Sequence, residues 1–251
     1  YCRALFVSRP DAVILFCSVG ASLLEKSMMA RLARLRGIPV FLFPQGGKLI
    51  EIAEASRLQR LWIRWALKGG SHFLCQGPTW RRFAVDVIGF TPSRAPIVPN
   101  WTATSRLLAI GSRRVNRPVD HEMQLLFLGR LEEEKGIFEL LRACDGLSER
   151  YAFRLVVAGM GQAEETARLL AGRSSMSDRV RFAGWVEGEA LERLLAESDV
   201  LVLPSWAEGL PNVMIEAMAA GLAVIVSAVG NVPDVVTDGV EAVLVPPRNV
   251  D

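Results

Sequence analysis

Histidine is nearly absent, with His72 and His121 the only two in 251 residues. That all but excludes a metal site built on several imidazoles, and neither histidine is assigned to chemistry. Cysteine is sparse too. Cys2, Cys17, Cys75 and Cys144 are scattered and form no CxxC pair, so they read as small core residues of a reducing compartment rather than a disulfide or zinc framework. No Asp-x-Asp pair occurs, and no catalytic metal is expected. No apolar run approaches the roughly 20 residues of a membrane helix. The opening Tyr1-Cys2-Arg3 does not read as the charged-then-apolar leader of a secreted protein, which makes a cytoplasmic location the expectation.

What the chain does have is apolar material and a lopsided charge. Half of it is hydrophobic (51%), enough for one full core and by length for two. The net charge of +2 hides an asymmetry. Residues 1–118 carry 18 Lys/Arg against 5 Asp/Glu, a net +13, and residues 119–251 carry 11 against 22, a net −11. Such a split suggests two bodies with different partners.

Strand and helix signals alternate throughout. In the first half, buried-strand runs are expected at Ala12–Cys17, Ile38–Phe43, Phe73–Cys75 and, briefly, Ile97–Asn100. Helices are expected over about 22–36, 51–68 and 78–87. Residues from about 101 to 120 lack periodicity and carry Gly111, Arg113, Arg114 and Pro118, which reads as a linker. A second alternating series has strands at Leu125–Leu128, Phe153–Ala158, Val180–Phe182, Val200–Leu203, Ala223–Val226 and Val243–Val245, with helices starting near Ile137, Ala163, Glu189 and Val213. Alternation of this kind means parallel sheets covered by helices. The expected domains are a partial one over 1–110, a linker over 111–120 and a second domain over 121–251.

The stretch Pro204-Ser205-Trp206-Ala207-Glu208-Gly209-Leu210-Pro211-Asn212-Val213-Met214-Ile215-Glu216 organises the second half. It leaves the strand Val200–Leu203, passes through a loop holding Glu208, and enters a helix for which Asn212 is the expected N-cap and Gly221 the stop. Loops at the carboxyl ends of such strands are where open α/β sheets hold ligands. Glu216 lies one turn into a helix otherwise made of Val, Met, Ile and Ala, where a carboxylate without a partner is costly. The helix start between the two carboxylates suits phosphate. A sugar joined to a nucleoside by a diphosphate would use all three parts. The alternative is a solvated loop Glu and a helix Glu paired with a nearby Arg.

Two further loops carry candidate ligand groups. In Gly129-Arg130-Leu131-Glu132-Glu133-Glu134-Lys135-Gly136, Arg130 and Lys135 could neutralise a leaving diphosphate in place of a metal ion, or could simply pair with the three glutamates on a solvated face. Gly159, ending Val157-Ala158-Gly159, allows a close backbone approach but also serves a plain strand-to-helix turn.

These segments resemble, in order and spacing, the retaining GT-B glycosyltransferases of family 4. Glu208 and Glu216 have that family's Glu-x7-Glu spacing, framed by similar residues on both sides, and Gly129–Gly136 is similar to its Gly-Arg-Leu…Lys-Gly motif. Trp185-Val186 resembles its segment near the nucleobase, and Gly230-Asn231-Val232-Pro233-Asp234 its Gly-x-x-Pro-Glu turn, with Asp in place of Glu. Ala242 stands where many members have Gly. The resemblance implies two Rossmann-like domains, the N-terminal one incomplete here, with parallel sheets facing across a cleft. It implies a nucleoside-diphosphate sugar as donor substrate, no cofactor, and no nucleic-acid partner. The residues implied for the donor are Gly129, Arg130, Lys135, Gly159, Val186, Glu208, Gly209, Leu210, Asn212, Val213 and Glu216, with Glu208, Arg130 and Lys135 carrying the chemistry. On the acceptor side, Gln45, Gly46 and Gly47 resemble a family His-Gly-Gly, and Gln45 cannot take up a proton at neutral pH as the His could. Family members carry more chain at both ends, so the sequence reads as a fragment expected to bind donor weakly and transfer little.

The implied function is transfer of a hexose, with retention, to a glycan or lipid-linked acceptor. A non-catalytic nucleotide-sugar-binding module and a GT-B sugar-nucleotide epimerase are the alternatives, and turnover of labelled donor with acceptor separates them. One helix adds a partner. Over 51–68, Arg57, Arg60, Arg64 and Lys68 share a face beside Leu58, Leu61, Trp62 and Trp65. That is the pattern of an interfacial helix on an anionic membrane surface, here the inner face of the cytoplasmic membrane, or else of a core helix with solvated cations.

Overall fold

A computed structural model describes residues 1, 3–45, 47–100, 102–114 and 122–250. The chain forms two compact units, residues 1–100 with Glu208–Leu210, and residues 101–207 with 211–251.

In the first unit, β1 (Val13–Cys17), β2 (Val40–Pro44) and β3 (His72–Phe73) form a parallel sheet in the order β1-β2-β3. Cys75 and Ile97 make only an isolated bridge, so the short fourth strand expected at Ile97 does not form. Pro96 and Pro99 flank it and lack the N–H a ladder needs. Helix α1 (Ala21–Leu35) links β1 to β2. The single helix expected over 51–68 is two, α2 (Lys48–Ala55) and α3 (Arg57–Leu67), broken at Ser56. Ser56 is extended, and its hydroxyl accepts from the Gln59 N–H. Ser56-x-x-Gln59 is a capping-box sequence, so the break was legible. Helix α4 (Pro78–Arg82) runs into a wider turn, Phe83–Ile88. The core packs Leu42, Phe73, Ile63, Leu67 and Trp80.

The second unit opens with α5 (Ser105–Arg114), within the segment expected to be linker; residues 115–120 lie outside the described residues. Gly111 acts as a contact rather than a breaker, because a Cβ there would collide with the backbone of Ala219–Gly221. Arg114 Nη2 donates to the carbonyls of Leu195, Ala196 and Ser198 at 2.6, 2.8 and 2.6 Å, a cation at a helix C-terminus. That helix is α8 (Gly188–Glu197).

The rest alternates as expected: β4 (Met123–Leu128), α6 (Ile137–Leu147), β5 (Phe153–Ala158), α7 (Glu164–Arg173), β6 (Val180–Gly184), α8, β7 (Val200–Leu203), α9 (Asn212–Ala219), β8 (Ala223–Ser227) and β9 (Val243–Val245). All are parallel, in the order β6-β5-β4-β7-β8-β9. The chain therefore winds one way from β4 to β6 and then restarts on the other side of β4, which makes the β4/β7 boundary a topological switch point. Each unit is an α/β layer structure around a parallel sheet.

Cys17, Cys75 and Cys144 are buried and free, and burial pushes each thiol up to about 12. They fit the core role; Cys2 lies outside the described residues.

Candidate active site

The loops after β4 and β7 leave the sheet at the switch point, side by side. After β4 the chain makes a tight turn, Glu133–Lys135, and Gly136 follows at φ 73°. A Cβ on Gly136 would overlap the carbonyl of Pro204, just past β7. The Trp206 N–H donates to the Glu134 carbonyl at 2.8 Å. On the other flank Gly129 N–H donates to Ala158 O at 3.0 Å, Leu131 N–H to Met160 O at 2.9 Å, and Gly159 N–H to Gly184 O at 2.7 Å. The carboxyl ends of β4, β5, β6 and β7 are thus tied into one continuous edge. Gly129, Arg130, Lys135, Gly159 and the half-buried Val186 all lie along it.

Helix α9 begins one residue earlier than expected. Pro211, at φ −66° and ψ 121°, takes the cap position, and no side chain caps the helix. Asn212 is the first helical residue, not the N-cap. Proline before it fixes the entry, and the residue preceding proline is kept out of the helical region. Val213 is half-buried behind it.

Glu216 stands out on this helix. It is half-buried among apolar neighbours, and desolvation raises its pKa. Its carboxylate has no hydrogen bond or ion pair among the described residues. Among the described residues no Arg supplies the partner that a structural role would require. A carboxylate held this way offers two strong acceptors to an incoming hydroxyl pair.

Arg130 is placed differently from Glu216. Its Nη1 lies 2.7 Å from Glu132 Oε1, with 62% of the side chain exposed. The solvated pairing weighed from the sequence is therefore real for Arg130. Exposed pairs of this kind are worth at most about 1 kcal/mol, so an anion arriving at this edge could exchange with Glu132.

The remaining sequence-derived candidates belong to the first unit. Glu208, Gly209 and Leu210 group with it, where Asn100 Nδ2 donates to the Leu210 carbonyl at 2.8 Å. Gln45 is exposed just past β2, and the buried Gly47 caps α2. Gly46 lies outside the described residues.

The sequence reading missed a set of small polar groups at the same strand ends. Ser205 and Ser227, 1% and 0% exposed, follow β7 and end β8, and Asn231 is 0% exposed in the next loop. Their side-chain polar atoms have no partner among the described residues. Such orphans cost about 1–3 kcal/mol each and mark where water or a ligand group belongs. Polar residues closing two apolar strands were the available signal.

Comparison with known proteins agrees with this architecture. An uncharacterised glycosyltransferase of Methanocaldococcus jannaschii is 38% identical over 142 residues, covering 57% of this chain and 36% of that protein. A lipopolysaccharide core biosynthesis glycosyltransferase of Rhizobium meliloti is 33% identical over 129 residues, covering 51% and 36% respectively. The chain thus spans little more than a third of these relatives' length. Among solved structures, a lipopolysaccharide outer core galactosyltransferase has a TM-score of 0.68 at 18% identity, covering 99% of this chain and 65% of that one. The Anabaena protein HepE, in complex with UDP and glucose, has a TM-score of 0.71 at 18% identity, covering 94% and 65%. These likenesses make the fold that of the GT-B glycosyltransferases. The family described as glycosyl transferases group 1 matches residues 111–251, more than half of the chain and the whole of the strand edge described above, and the chain belongs to that family.

Proposed function

We propose that the chain is part of a retaining glycosyltransferase of family 4. It would move a hexose from a nucleoside-diphosphate sugar to a glycan or lipid-linked acceptor at the cytoplasmic face of a membrane. The observation that carries this reading is the unpartnered, desolvated carboxylate of Glu216 beside the switch point. In this reading Glu216 accepts hydrogen bonds from the two ribose hydroxyls, and Val186 and Gly159 border the nucleobase and phosphates. Gly209, Leu210, Asn212 and Val213 line the helix entry, and Glu208 accepts from the donor sugar. Arg130, Lys135 and the backbone at Gly129 receive the diphosphate as the bond to the sugar breaks. Gln45, Gly46 and Gly47 form the acceptor side. HepE, solved with UDP and glucose, supports a nucleotide-sugar donor.

Two cations at the diphosphate make a metal ion dispensable. Transfer should survive an excess of chelator; a strict divalent-metal requirement contradicts this part of the proposal.

Glu216 gives the direct test, because function and stability should move in opposite directions. Glu216→Gln should weaken donor binding by about 1–3 kcal/mol through loss of charge-assisted hydrogen bonds, roughly 5- to 150-fold in Kd. The same change should raise the melting temperature of the unliganded protein at neutral pH. The sign follows from desolvation: the folded-state pKa lies above the ordinary 4.5. The contribution of Glu216 to stability is therefore fully present below pH 4.5 and lost as pH rises through the folded value. Gln carries no such penalty, so its advantage should vanish below pH 4.5. Glu208→Gln should instead depress turnover more than donor affinity. Parent-like binding and turnover in both variants, made in the whole enzyme of which this chain is proposed to be part, would remove the Glu-x7-Glu assignment.

A further inference from the structure

Helix α3 is divided into three stripes, and only one of them meets the core. Ile63, Ala66 and Leu67 are buried. On the opposite side Leu58 is 79%, Leu61 62%, Trp62 39% and Trp65 51% exposed. These four fall at helical spacings on a single face. Between the two apolar stripes runs a basic one of Arg57, Arg60, Arg64 and Lys68, all exposed. Arg57, Arg64 and Lys68 make no ion pair among the described residues, and no Asp or Glu lies between residues 57 and 68.

The exposed apolar face is ordered. Trp62 and Trp65 stack, with ring centroids 5.1 Å apart. Arg31 of α1 lies over Trp65, its guanidinium 3.8 Å from the ring centroid, and donates to the Trp65 carbonyl at 2.8 Å. Leu24 and Met28, on the same face of α1 as Arg31, are also exposed. The patch thus crosses from one helix to the next. The core reading of the Trp and Leu residues, weighed from the sequence, does not hold here.

We infer that this face docks on a bilayer containing anionic phospholipid, with Leu58, Leu61 and the indoles entering the headgroup–acyl boundary and the basic stripe lying against phosphate. Three properties single out that partner. Tryptophan and leucine beside arginine match the two chemistries of a membrane interface at one depth. Arginine stems lie along apolar surface while their heads reach charge. Residues 1–100 carry 14 Lys/Arg against 5 Asp/Glu, so the whole unit is drawn toward an anionic surface. A second copy of the chain fits less well, because a two-fold contact would oppose each basic stripe to its own copy with no acidic residue on α3 to pair with it. The inference rests on the proposed lipid-linked acceptor only for its purpose, since docking is read without any transfer.

The test is flotation of the protein with vesicles of phosphatidylcholine, alone or with about a third phosphatidylglycerol. The protein should float with the anionic vesicles, be released by high salt as screening predicts, and stay soluble with the neutral ones. Arg57→Glu with Arg64→Glu should cut recovery about tenfold or more, and so should Leu58→Ser with Leu61→Ser. These side chains are exposed, so unchanged melting temperatures should show that both variants stay folded. Trp62→Phe with Trp65→Phe should abolish any blue shift of tryptophan emission on vesicle binding. Failure to float, equal flotation with both vesicle types, or flotation untouched by both pairs of substitutions overturns the inference. So does a concentration-dependent dimer that the Leu58 and Leu61 substitutions abolish in a protein that does not float. None of these outcomes bears on donor binding, which Glu216→Gln reads separately.

Discussion

In the whole enzyme of which this chain is proposed to be part, Arg130→Ala and Lys135→Ala are each expected to lower transfer from a nucleoside-diphosphate sugar by roughly 10- to 1000-fold. Loss of one preorganised contact to charge that develops in the transition state typically has that effect. Both residues sit on the loop that leaves β4 at the switch point, the place where an open parallel sheet receives a ligand. The fold loss should fall mainly on turnover, because charge on the diphosphate grows as the sugar departs. Arg130 allows a sharper version. In the unliganded protein it pairs with Glu132 at 2.7 Å, and if that pair were its purpose, Glu132→Gln would reproduce the defect of Arg130→Ala. On the present reading Glu132 only occupies the guanidinium until the diphosphate arrives, so Glu132→Gln should transfer at the parent rate or faster. Matching losses in the two variants, measured as initial rates with labelled donor, would assign Arg130 to loop structure.

The second large effect is on stability, at Gly136. This residue holds φ 73° between the tight turn ending at Lys135 and the first turn of α6. A side chain there would be strained by its own backbone, at about 1–3 kcal/mol. It would also drive into the Pro204 carbonyl, and overpacking adds about 1–3 kcal/mol. Gly136→Ala should therefore cost roughly 2–6 kcal/mol, which at about 2–4 °C for each kcal/mol is a visible drop in Tm. Gly146 provides the control, being inside α6 with nothing near the place of a Cβ. There alanine should stabilise by about 0.5–1 kcal/mol. Calorimetric scans of the two variants should move to opposite sides of the parent. Parent-like melting of Gly136→Ala would mean that the β4 and β7 loops are not packed as described.

The second unit was largely legible because both of its periodicities are strong. The strands β7, β8 and β9 are apolar runs between turn residues and β4 and β5 nearly so, and Glu216 betrays itself as a lone carboxylate in an apolar helix. What could not be read was the order of the strands. Nothing local in Val200–Leu203 says that β7 pairs with β4 rather than β6, yet that pairing creates the switch point and brings Lys135 and Trp206 onto neighbouring loops. The helix Ser105–Arg114 was hidden for a related reason. Gly111 and the two terminal arginines look like linker chemistry, and only the close approach of Ala219–Gly221 and the carbonyls at the end of α8 give them work. The break at Ser56 was a missed local signal, not a tertiary effect. Asn212 is a preferred capping residue, but Pro211 just before it already holds an extended conformation at the helix entry and takes the cap position, one residue earlier than its side-chain preference predicts. At α3 sequence pattern alone could not decide which apolar stripe faces the core, since Ile63, Ala66 and Leu67 compete with Leu58, Leu61, Trp62 and Trp65 on equal terms.

If the strand edge running from Gly129 to Glu216 is a nucleotide-sugar site, the melting temperature of the protein should respond to a panel of nucleoside-diphosphate sugars. Ligand that binds only the folded protein stabilises it, by about 2.7 kcal/mol at a hundred times its Kd. At least one sugar nucleotide should raise the Tm of the parent in a saturable way, and the shift should shrink in Glu216→Gln although that variant starts from a higher Tm. No shift with any member of the panel at millimolar concentration would mean that this edge holds no sugar nucleotide, and an equal shift in parent and Glu216→Gln would take Glu216 out of the donor site.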